Sequence, residues 1–495
     1  MRTLSLLVVT LCFVWLPAAA APAGSVPQEA IRLAAARGFS ADQVGYLVFD
    51  LADGSILAEA NADAAYIPAS LQKVATMLYG LERLGPAHRF VTDLVTPAPV
   101  VGGTLQGDLY LKGGGDPFLT NEDLSDMIRT LKAAGVARIA GRFLYDESAL
   151  PVLYALNPEQ PRAVTYNPGL SALNLNFNVL DLSWQRSPDG AGLAANAAAA
   201  SDATVVPADE VSIAMLPSSR GKQVPYLPSL HPEGEGWLLS PELPPKGHAR
   251  VPVKRAGLNA ANIFRQLAAQ EGLAVPRPEP GAAPAGSRLL ARHRSVPLTE
   301  AVELILRYSN NLSAELVGLV AAAWHAPTPS TLQEAGRRIA AWLQQRVPQG
   351  DWRGLVLDNG SGLSTLSRMT ARQMATILFY GYSLHRQGLD FVSLLARPRW
   401  EGELQRLRRK EKAPQLAVRG KSGTIYFSRA YAGYLVGKSG RHLGFALFIS
   451  DLDQRRLYDL SLDIDRVSAP PGAAGWMKRA KTLERELVSL WLLSF

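Results

Sequence analysis

The order of apolar and polar positions divides this chain into strand-like and helix-like stretches. Residues 44–50 and 55–60 read as two strands around Ala52-Asp53-Gly54, a hairpin signal. Apolar residues then recur at helical spacing from Ser70 through Met77 and Leu81, which predicts a helix. From 90 to 112 the pattern turns strand-like, until Gly113-Gly114-Gly115-Asp116-Pro117 breaks it as a plain turn. A short strand at 210–216, a helix at 259–271 and loops follow. Residues 190–203, rich in alanine and small or polar residues, predict a flexible loop, and 281–287 a Gly/Ala/Pro linker. Helical spacing returns at 299–307, 313–324, 331–345 and 370–380. The end reads as strands at 415–419, 430–436 and 443–450, then a helix at 476–493.

Chemistry enters with Ser70-Leu71-Gln72-Lys73, an S-x-x-K at the start of the first long helix. Residues three apart share a helix face, so Lys73 would hold its amine beside the Ser70 hydroxyl. A serine hydroxyl needs an adjacent base to act as a nucleophile, and a desolvated, neutral lysine can be that base. Burial and the like charge of Lys421 would both favour the neutral amine. Alone, the spacing is common, and an N-cap serine with a solvated lysine explains it as well. Two later elements change the balance: Ser309-Asn310-Asn311 reads as S-x-N, and Lys421-Ser422-Gly423-Thr424 as K-S-G-T. Ser309 can relay a proton toward a leaving nitrogen, and the Asn311 amide can hold a substrate peptide. Lys421 and the Ser422 and Thr424 hydroxyls can bind a carboxylate, with Gly423 between them. The backbone N–H groups of Ser70 and Thr424 can form an oxyanion hole.

These three elements occur in this order in class A β-lactamases and penicillin-binding proteins. Their surroundings narrow the resemblance: Pro68-Ala69-Ser70, Ser309-x-Asn311-Leu312-x-Ala314-Glu315, and Asn359-Gly360-Ser361-Gly362-Leu363-Ser364. With residues 107–117 and Ala430-Tyr431-Ala432-Gly433-Tyr434-Leu435, they resemble the D-alanyl-D-alanine carboxypeptidase/endopeptidase family, the class C low-molecular-mass penicillin-binding proteins. Asn310 stands where that family more usually has Asp, and Thr365 where it often has Arg. The resemblance implies an α/β fold (an α+β sandwich) of the penicillin-recognising serine transpeptidase/β-lactamase kind, split by inserted, mostly β domains. It implies a serine peptidase acting on peptidoglycan stem peptides and cross-links, inhibited by β-lactam antibiotics, with no metal or organic cofactor. A β-lactamase, a small-ester hydrolase and a non-enzymatic wall-binding module remain as alternatives on the same fold.

Length and spacing agree with an interrupted domain. A chain of 495 residues suggests about three domains. The stretch from Ser70 to Ser309 exceeds what one catalytic domain needs by a domain-sized excess of roughly 100–200 residues. The expected division is a signal peptide at 1–23, catalytic segments at 24–90 and 290–495, and an insertion at 91–289. Met1-Arg2, the apolar run 4–16 and Pro17-Ala18-Ala19-Ala20 have the form of a secretory signal. The run is too short for a permanent membrane anchor. The single cysteine, Cys12, lies inside this segment, so the mature chain would have no thiol chemistry and would suit the periplasm.

Formal net charge is +8, with a basic cluster at Arg406, Arg408, Arg409, Lys410 and Lys412 that reads as a solvated face rather than a nucleic-acid site. No G-x-S-x-G elbow seats a serine for any of the seven histidines, and no H-E-x-x-H occurs. Lys438-Ser439-Gly440 repeats K-S-G but falls between two predicted strands, where a turn is expected. Ser361 and Ser364 belong to a loop that reads equally as substrate-side or structural. Glu315 reads as a packing or helix-face residue. The sequence leaves the oligomeric state open.

Overall fold

The computed structural model describes residues 26–187, 192–231 and 234–495, so the expected signal segment lies outside the described residues. Five antiparallel strands form the central sheet, in the order Ala417–Ile425, Ser428–Val436, His442–Ser450, Val44–Asp50, Ile56–Ala60. The N-terminal hairpin is therefore completed by the C-terminal strands, with Val44 opposite Ile449 and Asp50 opposite Leu443. Every residue of Val44–Asp50 is buried because helices cover both faces. Successive strand residues point to opposite faces: Leu47 and Phe49 join one core, while Val44, Tyr46 and Val48 join the other.

One face carries the helices Val26–Ala36 and Ala473–Ser494, whose Leu487, Trp491 and Leu492 are fully buried against the sheet. The C-terminal helix is thus a core element. Among the described residues no helix is long and apolar enough to cross a membrane. The other face carries Lys73–Leu84, Asn311–Ala323 and Ala371–Ser383. Asn311–Ala323 is apolar nearly all round and buried, as a helix at the centre of a layer must be. Each fully buried Leu or Val in this layer contributes about 1.5–3 kcal/mol.

The strand Val91–Thr96 leaves this domain, and Arg288–Arg294 returns antiparallel beside it. Between them lies a second hydrophobic core running from Leu94 to Ala291. It fills a five-stranded sheet in the order Pro278–Pro280, Phe143–Asp146, Leu109–Gly113, Val91–Thr96, Arg288–Arg294, covered by the helices Asn121–Ala133 and Ala256–Gln270. A four-stranded antiparallel sheet extends it. One of its strands, Leu193–Ala200, overlaps the stretch expected to be a flexible loop. Alanine has low intrinsic strand preference. Pairing with Val179–Arg186 and burial of Ala197 and Ala199 decide the conformation instead. Leu150, Leu156, Leu170 and Ala172 reach back into the first core, and the buried Asp465 pairs with Arg162 and Arg220 across the two parts. Lys438-Ser439-Gly440 is a hairpin turn, with Gly440 at φ +85°. The basic cluster lies mostly exposed on the helix Glu401–Glu411 and just beyond it.

Candidate active site

The chain enters the Ser70 helix through strain. Ala69, immediately before Ser70, has φ +46°, a region that side chains with a Cβ rarely adopt. Ala69–Gln72 is a tight 3-10 turn, and Lys73 begins the α-helix that follows. The turn brings Ser70 Oγ to 2.9 Å from Lys73 Nζ. Lys73 is fully buried, and burial pulls its pKa down to about 7, partly opposed by the negative charge of Glu315. Desolvation is the largest cause of this shift, and the like-charge repulsion between the two lysines is felt at Lys421, whose pKa the Lys73 charge lowers.

Lys73 Nζ has two further partners, Asn311 Oδ1 and the Ser361 carbonyl, both at 2.7 Å. A neutral amine has two N–H groups and one lone pair. With both N–H groups directed at those oxygens, the lone pair faces the Ser70 hydroxyl, which becomes the donor. This is the arrangement a general base requires.

Ser309 ends the helix Leu298–Tyr308 in the left-handed conformation, φ +60°, its N–H bonded to the Ile305 carbonyl. The turn it makes presents its hydroxyl to Lys421 Nζ at 2.9 Å. Asn310 caps the next helix, its Oδ1 accepting the Ser313 N–H at 2.9 Å. Asn and Asp are equivalent in that task, which accounts for the middle residue of S-x-N. Asn311 uses both ends of its amide: Oδ1 on Lys73, and Nδ2 donating to the Tyr166 carbonyl at 3.0 Å.

Lys421 lies buried on the strand Ala417–Ile425 and donates to its neighbour's carbonyl at Ser422 as well as to Ser309. Burial, then the charges of Lys73, Arg429 and Arg399, lower its pKa well below the usual lysine range. Gly423 lets this strand abut the Ser70 turn: a Cβ there would stand 2.3 Å from the Pro68 carbonyl oxygen and 3.2 Å from Ser70 N. Thr424, next along the strand, is exposed.

Two features escaped the sequence reading. Glu315 is buried, and its carboxylate takes the Gly360 N–H at 2.7 Å and the Ser361 N–H at 2.8 Å. Burial raises its pKa, while bonds from Ser361 and Gly360 and the Lys73 charge oppose the rise. Thr76 Oγ1 donates to the Gly360 carbonyl at 2.6 Å, and Gln72 Nε2 to the Asn359 carbonyl. The 359–364 loop is thereby fastened so that the Ser361 carbonyl meets Lys73, and Ser361 Oγ itself accepts the Leu363 N–H. The second feature is Tyr166, contributed from within the stretch 91–289, between the strands that leave and return to the first core. Its carbonyl contact had no signal in the sequence.

Histidines occupy other places: His88 packs on Phe90 and Trp324, and His293 sits between Asp116 and Asp123. Among the described residues no group of three or more His, Cys, Asp and Glu side chains is placed to share a metal ion.

A serine–lysine pair, a second serine–lysine pair facing it, and a strand closing on the Ser70 turn define a penicillin-recognising serine hydrolase fold. The chain belongs to the D-Ala-D-Ala carboxypeptidase 3 (S13) family, whose sequence profile matches residues 29–469. Its enzyme class is that of the serine-type carboxypeptidases. It is 27% identical over 422 residues to a D-alanyl-D-alanine carboxypeptidase of Actinomadura sp. (strain R39), covering 81% of this chain and 77% of the relative. It is 25% identical over 363 residues to the D-alanyl-D-alanine carboxypeptidase DacB of Haemophilus influenzae, covering 68% and 70%. Among solved structures, penicillin binding protein 4 of Haemophilus influenzae superimposes with a TM-score of 0.68 at 19% identity, covering 90% of this chain and 96% of that one. That likeness establishes the fold.

Proposed function

We propose that this enzyme is a periplasmic serine D-Ala-D-Ala carboxypeptidase/endopeptidase that hydrolyses peptidoglycan stem peptides and cross-links through an acyl-enzyme on Ser70. The observation that carries the reading is the Lys73 amine held between Ser70 Oγ, Asn311 Oδ1 and the Ser361 carbonyl. Ser70 Oγ attacks the penultimate D-alanyl carbonyl and gives its proton to Lys73. The backbone N–H groups of Ser70 and Thr424 face the oxyanion. As the C–N bond breaks, Ser309, with Lys421 hydrogen-bonded to its hydroxyl, delivers a proton to the departing amine. Asn311 holds the peptide, and Lys421, Ser422, Gly423 and Thr424 form the subsite for its carboxylate. Water then hydrolyses the Ser70 ester. Penicillin, which presents a carbonyl and a carboxylate to the same groups, would acylate Ser70 and inhibit.

We place the signal peptide at 1–23, the catalytic domain at 24–90 and 290–495, and the insertion at 91–289. The pairing of the outgoing strand Val91–Thr96 with the returning Arg288–Arg294 supports a split domain. The secretory form of the first residues supports the location.

Incubation with purified muropeptides and identification of products by mass tests the reading. Loss of one alanine from pentapeptides, or conversion of cross-linked dimers to monomers, is expected. Intact muropeptides after prolonged incubation would contradict it.

A further inference from the structure

Arg429 sits across the sheet from Thr424: the two are register partners on the strands Ala417–Ile425 and Ser428–Val436. Each of its three guanidinium nitrogens makes a hydrogen bond. Nε donates to Glu484 Oε2 at 2.6 Å and Nη2 to Glu484 Oε1 at 2.9 Å, a two-point grip by a buried carboxylate on the C-terminal helix. Such fork-to-carboxylate pairs fix orientation as well as charge. The remaining nitrogen, Nη1, donates to Thr424 Oγ1 at 2.5 Å.

This contact sets the polarity of the Thr424 hydroxyl. A guanidinium has five donors and no acceptor, so Thr424 Oγ must accept from it. The hydroxyl proton is then what Thr424 has to offer a ligand, and Thr424 is exposed beside the nucleophile turn. Hydrogen bonds polarise one another along a chain, so a hydroxyl that accepts from a cation donates more strongly. The ligand group that fits is an anion, and Arg429 and Arg399 both add positive charge around Lys421.

Resting on the reading of Thr424 as part of the carboxylate subsite, we infer that Arg429 is a specificity-determining residue: acting through Thr424, it selects a leaving residue that carries a free α-carboxylate over one that is amidated or esterified. Glu484 is the positioning residue that holds Arg429 in place.

Kinetics on two matched substrates test this. One is an N-acylated peptide ending in D-Ala-D-Ala, the other the same peptide ending in D-alaninamide. The readout is the ratio of kcat/KM, carboxylate over amide. A charge-assisted contact of this kind corresponds to about tenfold or more in that ratio. Arg429→Gln should lower the ratio by about tenfold or more with the amide substrate little changed, and Thr424→Val, which alters the subsite itself, should lower the ratio by a similar factor. Arg429→Gln leaves the buried Glu484 carboxylate unpaired and can cost folding. Arg429→Gln combined with Glu484→Gln removes both charges, and Thr424→Val leaves the ion pair whole. If the amide is cleaved too slowly to read, acylation by a penicillin and by its methyl ester gives the same ratio. A smaller fall in the folded variants, or an equal loss on both substrates, overturns the proposal and leaves Arg429 a structural partner of the C-terminal helix. Wild-type protein that acts on neither substrate would instead contradict the acyl-enzyme reading itself.

Discussion

Lys73 and Ser361 meet across 288 residues of sequence, Nζ to carbonyl at 2.7 Å. The contact costs Ser361 nothing chemically, because its carbonyl and not its hydroxyl is used. For Lys73 it fixes one N–H, and Asn311 fixes another, so the amine has one direction left, toward Ser70.

With Lys73 as the proposed base, this arrangement makes acylation depend on pH with a definite sign. The Lys73 pKa is pulled down to about 7 by burial. Below that pH the amine binds a proton and has no lone pair for the Ser70 hydroxyl; above it the base is free. Acylation by a penicillin should rise with pH, reach half its plateau near pH 7, and fall about tenfold per unit below. Lys73→Arg should abolish it, since a guanidinium stays charged throughout. A flat profile from pH 5 to 9 would remove Lys73 as the base.

Glu315 should act through the loop it grips. Glu315→Gln can accept only one of the two N–H groups at Gly360 and Ser361, so the Ser361 carbonyl loses its fixed position. Acylation should fall by about 5–30-fold, the range of one to two kcal/mol of lost hydrogen bonding. The negative charge of Glu315 raises the proton affinity of Lys73. Its removal should therefore move the acid limb of the pH profile to lower pH. A residue that served packing alone would lower stability and leave that midpoint where it is.

Gly423→Ala would drive a methyl group into the Pro68 carbonyl and the Ser70 turn. Forcing the strand away should cost about 1–3 kcal/mol in stability. Penicillin acylation should fall more than the loss of stability accounts for, because Thr424 moves off the nucleophile with it. Melting temperature and acylation rate, measured together, separate the two effects.

The helix that carries Ser70 and Lys73, the three motifs and the strands of the central sheet were legible in the sequence because their signals are local. S-x-x-K needs only one helical turn, and the apolar spacing from Ser70 to Leu81 supplies it. Asn310 and Asn311 could be placed in a motif, but the capping role of Asn310 needed the helix boundary at Asn311. Glu315 was not legible as a loop clamp, since its partners Gly360 and Ser361 lie far along the chain. Tyr166 was less so: a backbone carbonyl carries no residue signature, and only the folding of its loop against Asn311 brings it to the site. The alanine-rich strand Leu193–Ala200 failed for the opposite reason, its local composition arguing against the state that sheet pairing imposes.

The penicilloyl adduct distinguishes a peptidase from a β-lactamase. Class A β-lactamases deacylate with a glutamate in an E-x-x-L-N element, and that element does not occur in this chain. Glu315, the buried carboxylate nearest the base, is spent on two backbone N–H groups. The adduct should therefore persist for minutes or longer, seen by mass spectrometry as intact protein plus one antibiotic. Rapid turnover with no adduct trapped on quenching would move the enzyme to the β-lactamase reading.

The central claim, that Ser70 is the acylated residue, is tested most directly by mapping the site of a labelled penicillin. Wild-type protein is treated with the label, digested, and sequenced by mass spectrometry beside Ser70→Ala. The account predicts the label on the peptide containing Ser70 in the wild type and none on the variant. Label retained by Ser70→Ala, or found on Ser361 or Ser439, would contradict it.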